Sequence, residues 1–199
     1  MYKYLHPEKV KIIYEELGEE AGTQQLLELL KSHHKETYEH CLRVAKLSID
    51  LALENGLPAD ITMTIGKAAL LHDFGKSKIN KKLLTKPGPL NSTERFVIDE
   101  HPRLGLSELK KHLSPEECKI IASHHDFEMK ISLRKLFRGR AESYSAQIVA
   151  AADMYDALRF ARSYKESYEL GKVKKIMEGN FTGQKILIKQ LANRKLKSV

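Results

Sequence analysis

The chain has 199 residues, a formal net charge of +8, and a composition of 42% hydrophobic and 30% charged residues. These values are typical of one soluble globular domain, and the absence of any apolar run of about 18 residues excludes a membrane-spanning helix. The N-terminus carries no apolar signal region, and Cys41 and Cys118 are too few for a disulfide framework. A cytoplasmic location is therefore expected, with Cys41 as a small buried residue.

Helical periodicity runs through the first part of the chain, without the alternation that is typical of strands. Thr23 is expected to cap a second helix, and a third helix extends from about residue 35 to 55. A fourth helix begins at Pro58 and is apolar until it ends at the adjacent pair His72 and Asp73. The sequence therefore predicts an all-α fold in which a His-Asp pair lies at the end of a helix.

The second half of the chain is also predicted to be helical, apart from one long loop. Residues 76–90 contain a Pro-Gly-Pro run and are predicted to be a loop over the end of the fourth helix. Capping-box patterns begin at Asn91 and Ser114. A short helix is expected around residues 133–137 and a longer one over 143–161, and two further helices close the chain.

Positive charge is concentrated in two parts of the chain. Residues 172–199 hold eight basic residues against one acid, Glu178. The other cluster contains Lys130, Arg134, Lys135, Arg138 and Arg140. Such clusters form either solvated helix faces or a surface that attracts a phosphate-bearing partner. A nucleotide is the favoured partner of this kind, and a nucleic acid is the less favoured alternative.

Five of the nine histidines are expected at helix ends or beside acids. They are His40, His72, His101, His124 and His125. Asp73 follows one of them, and Asp153 ends the apolar run 148–152. Polar groups on apolar helix surfaces are costly unless they are paired or metal-bound. Although each histidine alone could be an ordinary residue, the arrangement predicts a metal site, and donors without a thiolate suit iron, manganese, nickel or zinc.

Two further acids share helix faces with these candidates. Glu36 lies four residues before His40, and Asp156 lies three residues after Asp153. Glu36 is either an additional metal ligand or half of a surface pair with His40. Asp156 is expected to hold Lys76 by an ion pair, unless it is an ordinary acid on the helix surface.

The order of these residues resembles the HD-domain metal-dependent phosphohydrolases, and more narrowly their HD-GYP branch. The matching segments are His72-Asp73-Phe74-Gly75-Lys76, Leu84-Thr85-Lys86-Pro87-Gly88-Pro89-Leu90 with Glu94 beyond it, His101-Pro102-x-x-Gly105, Ala151-Ala152-Asp153-Met154-Tyr155-Asp156-Ala157-Leu158 and Arg162-Ser163-Tyr164-Lys165. The Gly-Tyr-Pro motif that names the branch is missing after His124 and His125, and Ser163 replaces a proline. The departure puts the identity of the substrate in question and leaves the metal site complete.

The resemblance implies one helical-bundle domain over residues 1–199, with its core at about 35–165. Residues 1–34 would form N-terminal helices, and residues 166–199 would form the basic C-terminal helices. The implied cofactor is a pair of divalent metal ions, iron or manganese before nickel, zinc or magnesium, with room for a third ion near Glu36. Asp73 would bridge the pair. The implied ligand sets are His40, His72 and Asp153 for one ion, and His101, His124 and His125 for the other.

The implied activity is hydrolysis of a cyclic dinucleotide, such as cyclic di-GMP, or of a related nucleotide by a metal-bridging hydroxide. Lys76, Asp73 and Asp156 would form the catalytic group. Arg162 and Lys165 would hold a distal phosphate of the substrate. A mononucleotide or an alarmone is the alternative substrate. A module that senses nucleotides without turnover is the alternative function, and a homodimer is left open.

Overall fold

The structure is a computed structural model that describes residues 3–128, 143–160 and 167–194. The expected short helix at 133–137, the basic cluster at 130–140, Arg162 and Lys165 all lie outside the described residues. Within the described ranges the chain is helical, with one isolated antiparallel bridge between Glu128 and Phe181. The predicted all-α fold is confirmed.

The described helices follow one another with short connections. They are α1 (Pro7–Glu19), α2 (Ala21–His33), α3 (Lys35–Glu54), α4 (Ala59–Leu71), α5 (Lys81–Leu84), α6 (Ser92–Asp99), α7 (His101–Leu109), α8 (Pro115–Ser123), α9 (Tyr144–Arg159), α10 (Leu170–Asn180) and α11 (Lys185–Ala192). Two 3-10 helices, Phe74–Lys78 and His124–Phe127, follow α4 and α8 directly. No helix within the described ranges combines the length and apolarity needed to cross a membrane.

The core is organised around α3, which packs against α1, α2, α4 and α9. Val44 and Ala45 of α3, Ala69 of α4, and Val149 and Ala152 of α9 are completely buried. Small side chains at these positions allow the helix axes to approach closely, which is how α4 and α9 both reach the same side of α3. The polar ends of these helices are thereby brought to one region of the bundle.

The two ends of the described chain meet on α3, at the buried carboxylate of Asp50. The backbone N–H groups of Leu5 and His6 donate to Asp50 at 3.1 and 2.9 Å. Arg194, which follows α11, donates through Nε to Asp50 at 2.8 Å and through a terminal nitrogen to Glu54 at 2.6 Å. Both Arg194 and Asp50 are buried, so this contact lies inside the fold.

Both capping-box signals are confirmed, and one predicted cap needs correction. Capping boxes are formed at Asn91 and at Ser114. Thr23 does not cap α2: it lies inside the helix, where its hydroxyl donates to the Glu20 carboxylate at 3.1 Å. Glu20 has extended backbone dihedrals and takes the capping position instead, because the helix begins one turn earlier than the apolar pattern indicates.

The expected loop and the expected long helix also differ from the structure. Residues 76–90 are not a continuous loop, because the first 3-10 helix runs into them and α5 lies within them. The helix predicted over 143–161 ends at Arg159, and Phe160 is extended with φ −106° and ψ 138°.

Candidate metal centre

Helix ends bring the predicted histidines and acids together. His72 and Asp73 follow α4, and His124 and His125 open the 3-10 helix after α8. The sequence predicts that a helix ends at His101, but His101 is instead the first residue of α7. The reason is Pro102, which fits the first turn of a helix because it has no N–H to donate.

Asp73 lies between two groups of histidines. Its Oδ1 is 3.0 Å from Nε2 of His101. Its Oδ2 is 3.6 Å from Nε2 of His72 and 3.8 Å from Nε2 of His40. Lys76 also contacts Oδ2, with Nζ at 2.6 Å. The two oxygens of one buried carboxylate therefore face different histidines, as a carboxylate that bridges two cations does.

Among the described residues there are three overlapping groups of donors, and within each group the ligand atoms lie within 4.8 Å of one another. They are His101, His124 and His125; His40, His72 and Asp73; and His72, His124 and Asp153. All seven candidate ligands thus lie in one cluster. Asp153 is close to both sides of the cluster, because its Oδ1 is 2.9 Å from Nε2 of His40 and 3.8 Å from Nε2 of His72.

Three of the histidines present an uncommitted ring nitrogen to this cluster. In His72, His101 and His124, Nδ1 donates to the backbone carbonyl three residues earlier, at 2.7–2.8 Å. Because a carbonyl only accepts, the proton must be on Nδ1, and a neutral ring then carries its lone pair on Nε2. These three Nε2 atoms are buried and have no hydrogen-bond partner among the described residues.

The charge states of these residues also fit a cation site. Burial lowers the pKa of His72 and His124, and it lowers the pKa of His101 to about 4, so these rings are neutral near pH 7. Burial alone would raise the pKa of Asp73, but the ammonium group of Lys76 beside it holds that pKa well below its ordinary range. Neutral imidazoles around an ionised carboxylate are the donor set that divalent transition metals prefer.

The ring of His40 is held from behind by Asp156. Nδ1 of His40 donates to Asp156 at 2.6 Å, and Arg43 donates to both oxygens of Asp156 at 2.8 and 3.0 Å. The expected ion pair of Asp156 with Lys76 is therefore wrong: Lys76 pairs with Asp73, and Asp156 orients a candidate ligand. Asp156 lies on the same face of α9 as Asp153, as its spacing predicted, but it points at the far side of the His40 ring.

The cluster forms one wall of a cavity of about 750 Å³. Its lining includes His40, His101, His125, Asp153 and Lys76, together with the cations Arg43, Lys86 and Arg95. Glu36 also lines this cavity, one helical turn before His40, but it belongs to none of the three donor groups. The lining also includes the acids Glu39, Asp99 and Glu128, so it carries charges of both signs, and its size suits a ligand as large as a nucleotide.

Sequence reasoning missed two residues that hold ligands in place. Arg43 pairs with Asp156, and Glu128 accepts a hydrogen bond from Nδ1 of His125 at 2.6 Å. The spacing of three residues between His125 and Glu128 was a local signal, since such pairs meet on one side of a helical turn. The contact of Arg43 had no such signal, because Asp156 is 113 residues away in the chain.

Comparison with known proteins agrees with this geometry. Residues 37–158 match the HD domain family model. The 3′3′-cGAMP-specific phosphodiesterase 1 of Vibrio cholerae is 31% identical over 142 residues, which cover 71% of this chain and 33% of that protein. A cyclic di-GMP phosphodiesterase of Vibrio cholerae is 37% identical over 119 residues, which cover 56% and 24%. One from Thermotoga maritima is 32% identical over 145 residues, which cover 71% and 39%.

The fold is also found in a crystal structure. The HD domain of the Listeria monocytogenes phosphodiesterase PgpH superposes with a TM-score of 0.61 at 19% identity, over 84% of this chain and 93% of that one. The helical bundle and its buried His-Asp cluster define an HD-domain protein, and the chain belongs to this family of metal-dependent phosphohydrolases. It is related to the HD-GYP cyclic dinucleotide phosphodiesterases, but it spans only about a quarter to two fifths of the length of these relatives.

Proposed function

We propose that this chain hydrolyses a phosphodiester bond of a cyclic dinucleotide or a related nucleotide. The observation that carries the proposal is the set of three buried, unpaired Nε2 atoms beside the ionised carboxylate of Asp73, at the wall of a cavity that Lys76 also lines. Buried polar atoms without partners are rare in native proteins unless a ligand or ion satisfies them. The substrate class is supported by the relatives, whose names state activity on cyclic di-GMP and 3′3′-cGAMP.

Two divalent cations, iron or manganese, fit the donor set. One would be held by His101, His124 and His125, and the other by His40, His72 and Asp153, with Asp73 shared between them. Glu36 is the candidate for a third position. When bound, such cations supply an activated water molecule and offset negative charge on the phosphoryl oxygens.

Lys76 is proposed to act directly on the reacting phosphate group. Its Nζ is only 2.6 Å from Asp73, and the side chain lines the cavity. Hydrolysis forms a bond between phosphorus and the water oxygen and breaks a P–O ester bond, so the leaving oxygen must gain a proton. Nζ can stabilise charge on the phosphoryl group and donate this proton. Arg162 and Lys165 are proposed to hold a distal phosphate.

The missing Gly-Tyr-Pro motif favours two alternatives. One is a different nucleotide substrate, such as a mononucleotide or an alarmone. The other is a sensor that binds a nucleotide without turnover. The full ligand set and Lys76 favour catalysis over the sensor, because a sensor needs neither an ionised bridging carboxylate nor a proton donor beside it.

The first test is an assay of manganese- or iron-loaded protein against cyclic dinucleotides, mononucleotides and an alarmone, with Asp73→Asn as the control. Wild type should hold at least two ions per chain and hydrolyse a cyclic dinucleotide. Asp73→Asn should lose metal and activity while its helical circular dichroism persists, since an amide binds cations more weakly than a carboxylate. Turnover by Asp73→Asn at the wild-type rate would show that the reaction occurs elsewhere.

A second test separates chemistry from substrate capture. Lys76→Ala should lower kcat on nucleotides and on bis(p-nitrophenyl) phosphate, because the charge of Lys76 is needed most in the transition state. Arg162→Ala should raise KM for nucleotides alone, since the small ester has no distal phosphate. Equal damage to both substrates by Arg162→Ala would refute its proposed role.

A further inference from the structure

The ring of His125 is held differently from those of the other histidines in the cluster. His72, His101 and His124 are each oriented by a carbonyl of the preceding turn, and His40 by the buried Asp156. His125 is oriented by Glu128, and the two side chains are 39% and 38% exposed. Hydrogen bonds to backbone carbonyls or to the buried Asp156 therefore fix four of these rings. The orientation of His125 depends instead on the position of Glu128.

The backbone around Glu128 is held by the connection between α10 and α11. Glu128 forms the antiparallel bridge with Phe181. The N–H of Thr182 donates to the carbonyl of Phe127 at 2.8 Å. The rings of Phe127 and Phe181 lie 6.3 Å apart, and both are buried. The backbone bridge, of which the Thr182–Phe127 hydrogen bond is a part, and the aromatic pair thus attach the residues after His125 to a segment more than 50 positions later in the chain.

This connection, residues 181–184, is itself firmly fixed. The N–H of Gln184 donates to the side chain of Gln147 on α9 at 2.8 Å. A Cβ at Gly183 would lie 2.5 Å from the Phe181 ring and 2.9 Å from the Gln147 amide oxygen, so the turn is closely packed. Buried Leu187 of α11 belongs to the main core. The connection is therefore a fixed support for the 3-10 helix that carries His125.

We propose that the 181–184 connection positions His125, through Glu128, for the metal bound by His101, His124 and His125. The C-terminal helices α10 and α11, which lie outside residues 37–158 matched by the family model, then complete the metal centre. Ile176 and Asn180 of α10 line the same cavity, which agrees with this placement. The inference rests on the proposed metal-binding function, and Phe181 and Glu128 act in it as positioning residues.

Residues that orient a metal ligand typically contribute 10–100-fold to metal affinity. Phe181→Ala and Glu128→Gln should each lower the affinity for one of two Mn²⁺ ions by about 10-fold and leave the affinity for the other ion unchanged. Because both changes act through the same ring, the double variant should be no weaker than the more damaged single variant, which is a non-additive result. Phe181→Leu, which keeps more of the side-chain volume, should give an intermediate loss.

The experiment is a competitive Mn²⁺ titration of the full chain against a chelator, with unfolding followed by circular dichroism. Leu187→Ala is the matched control, because it removes a buried side chain of α11 without touching the contacts of residues 127–128. It should lower stability and keep both Mn²⁺ affinities. If Phe181→Ala does not fold, Phe181→Leu is titrated in its place.

The outcomes separate the two proposals. Wild-type protein that binds no Mn²⁺ would overturn the proposed function and this inference together. Wild-type affinity for both ions in Phe181→Ala or Phe181→Leu would overturn the inference alone. A loss of affinity in Leu187→Ala as large as that in the Phe181 variants would also overturn it, because the effect would then follow from general destabilisation.

Discussion

Asp156 is completely buried, yet it contacts the centre only through another residue. It accepts hydrogen bonds from His40 and from Arg43, and these contacts hold its pKa below the ordinary range although burial would raise it. A carboxylate that accepts from Nδ1 fixes the tautomer of the ring and makes Nε2 a better donor to a cation. Arg43 in turn stacks over the ring of Phe160, with its guanidinium carbon 4.1 Å from the ring centroid.

We therefore predict that Asp156→Asn lowers Mn²⁺ affinity about 10–100-fold, because the amide can present its NH₂ group to His40 and disfavour the required tautomer. The measurement is a Mn²⁺ titration at constant pH. Glu39→Gln is the control: Glu39 lines the same cavity, but its contact with Lys35 is an exposed ion pair of little energetic value. Equal affinities of Asp156→Asn and the wild type would refute the role assigned to Asp156.

At the scale of elements, the placement of His101 depends on how closely α7 approaches the first 3-10 helix. A Cβ at Gly75 would lie 1.8 Å from the carbonyl oxygen of His101 and 2.9 Å from the backbone nitrogen of Gly105. No side chain fits there, and backbone atoms cannot move aside as a flexible side chain can. The glycine after His72-Asp73 thus sets the distance between Asp73 and His101.

Gly75→Ala should push α7 away from the 3-10 helix, destabilise the fold by about 1–3 kcal/mol as overpacked sites do, and weaken metal binding through His101. Urea unfolding and a Mn²⁺ titration measure the two effects. Gly18→Ala is the control, since a Cβ at this helical position meets nothing within 4 Å and should stabilise α1 by about 0.5–1 kcal/mol. If Gly75→Ala is as stable as the wild type, the close approach does not exist in solution.

The features that the sequence predicted correctly are local ones. The capping boxes at Asn91 and Ser114 depend on residues three positions apart, and the seven candidate donors, which lie in one cluster, stand out in the sequence as polar residues in apolar helices. The partner of Asp156 was predicted wrongly, because spacing identifies which helix face a residue occupies but not which residue lies across the bundle. The contact of Glu128 with Phe181 is non-local in the same way and had no sequence signal.

At the scale of the whole molecule, the contacts of Arg194 with Asp50 and Glu54 hold the C-terminal end of the described chain against α3. Asp50 is completely buried and Arg194 is 1% exposed. Asp50 also accepts from the N–H groups of Leu5 and His6. It lies ten residues after His40 on α3, a distance of about 15 Å along the helix axis. Stability and metal binding therefore depend on different ends of the same helix.

Arg194→Met should lower the free energy of unfolding by about 3–5 kcal/mol, because it leaves the charge of Asp50 buried without its cation. Its Mn²⁺ affinity should match that of the wild type, since α11 stays packed through its buried leucines and the metal centre lies at the other end of α3. Urea unfolding and Mn²⁺ titration are the measurements. Lys31→Met, which removes the exposed pair with Glu28 and the contact with the Tyr38 ring, should cost about 1 kcal/mol or less.

The double variant Arg194→Met, Asp50→Asn decides the cause of this loss. If the unpaired charge is responsible, the neutral amide should recover a large part of the stability, because removing both partners of a buried ion pair costs much less than removing one. The amide oxygen can still accept from Leu5 and His6. A double variant that is even less stable than Arg194→Met would mean that the packing of the arginine side chain, and not its charge, joins the two ends of the chain.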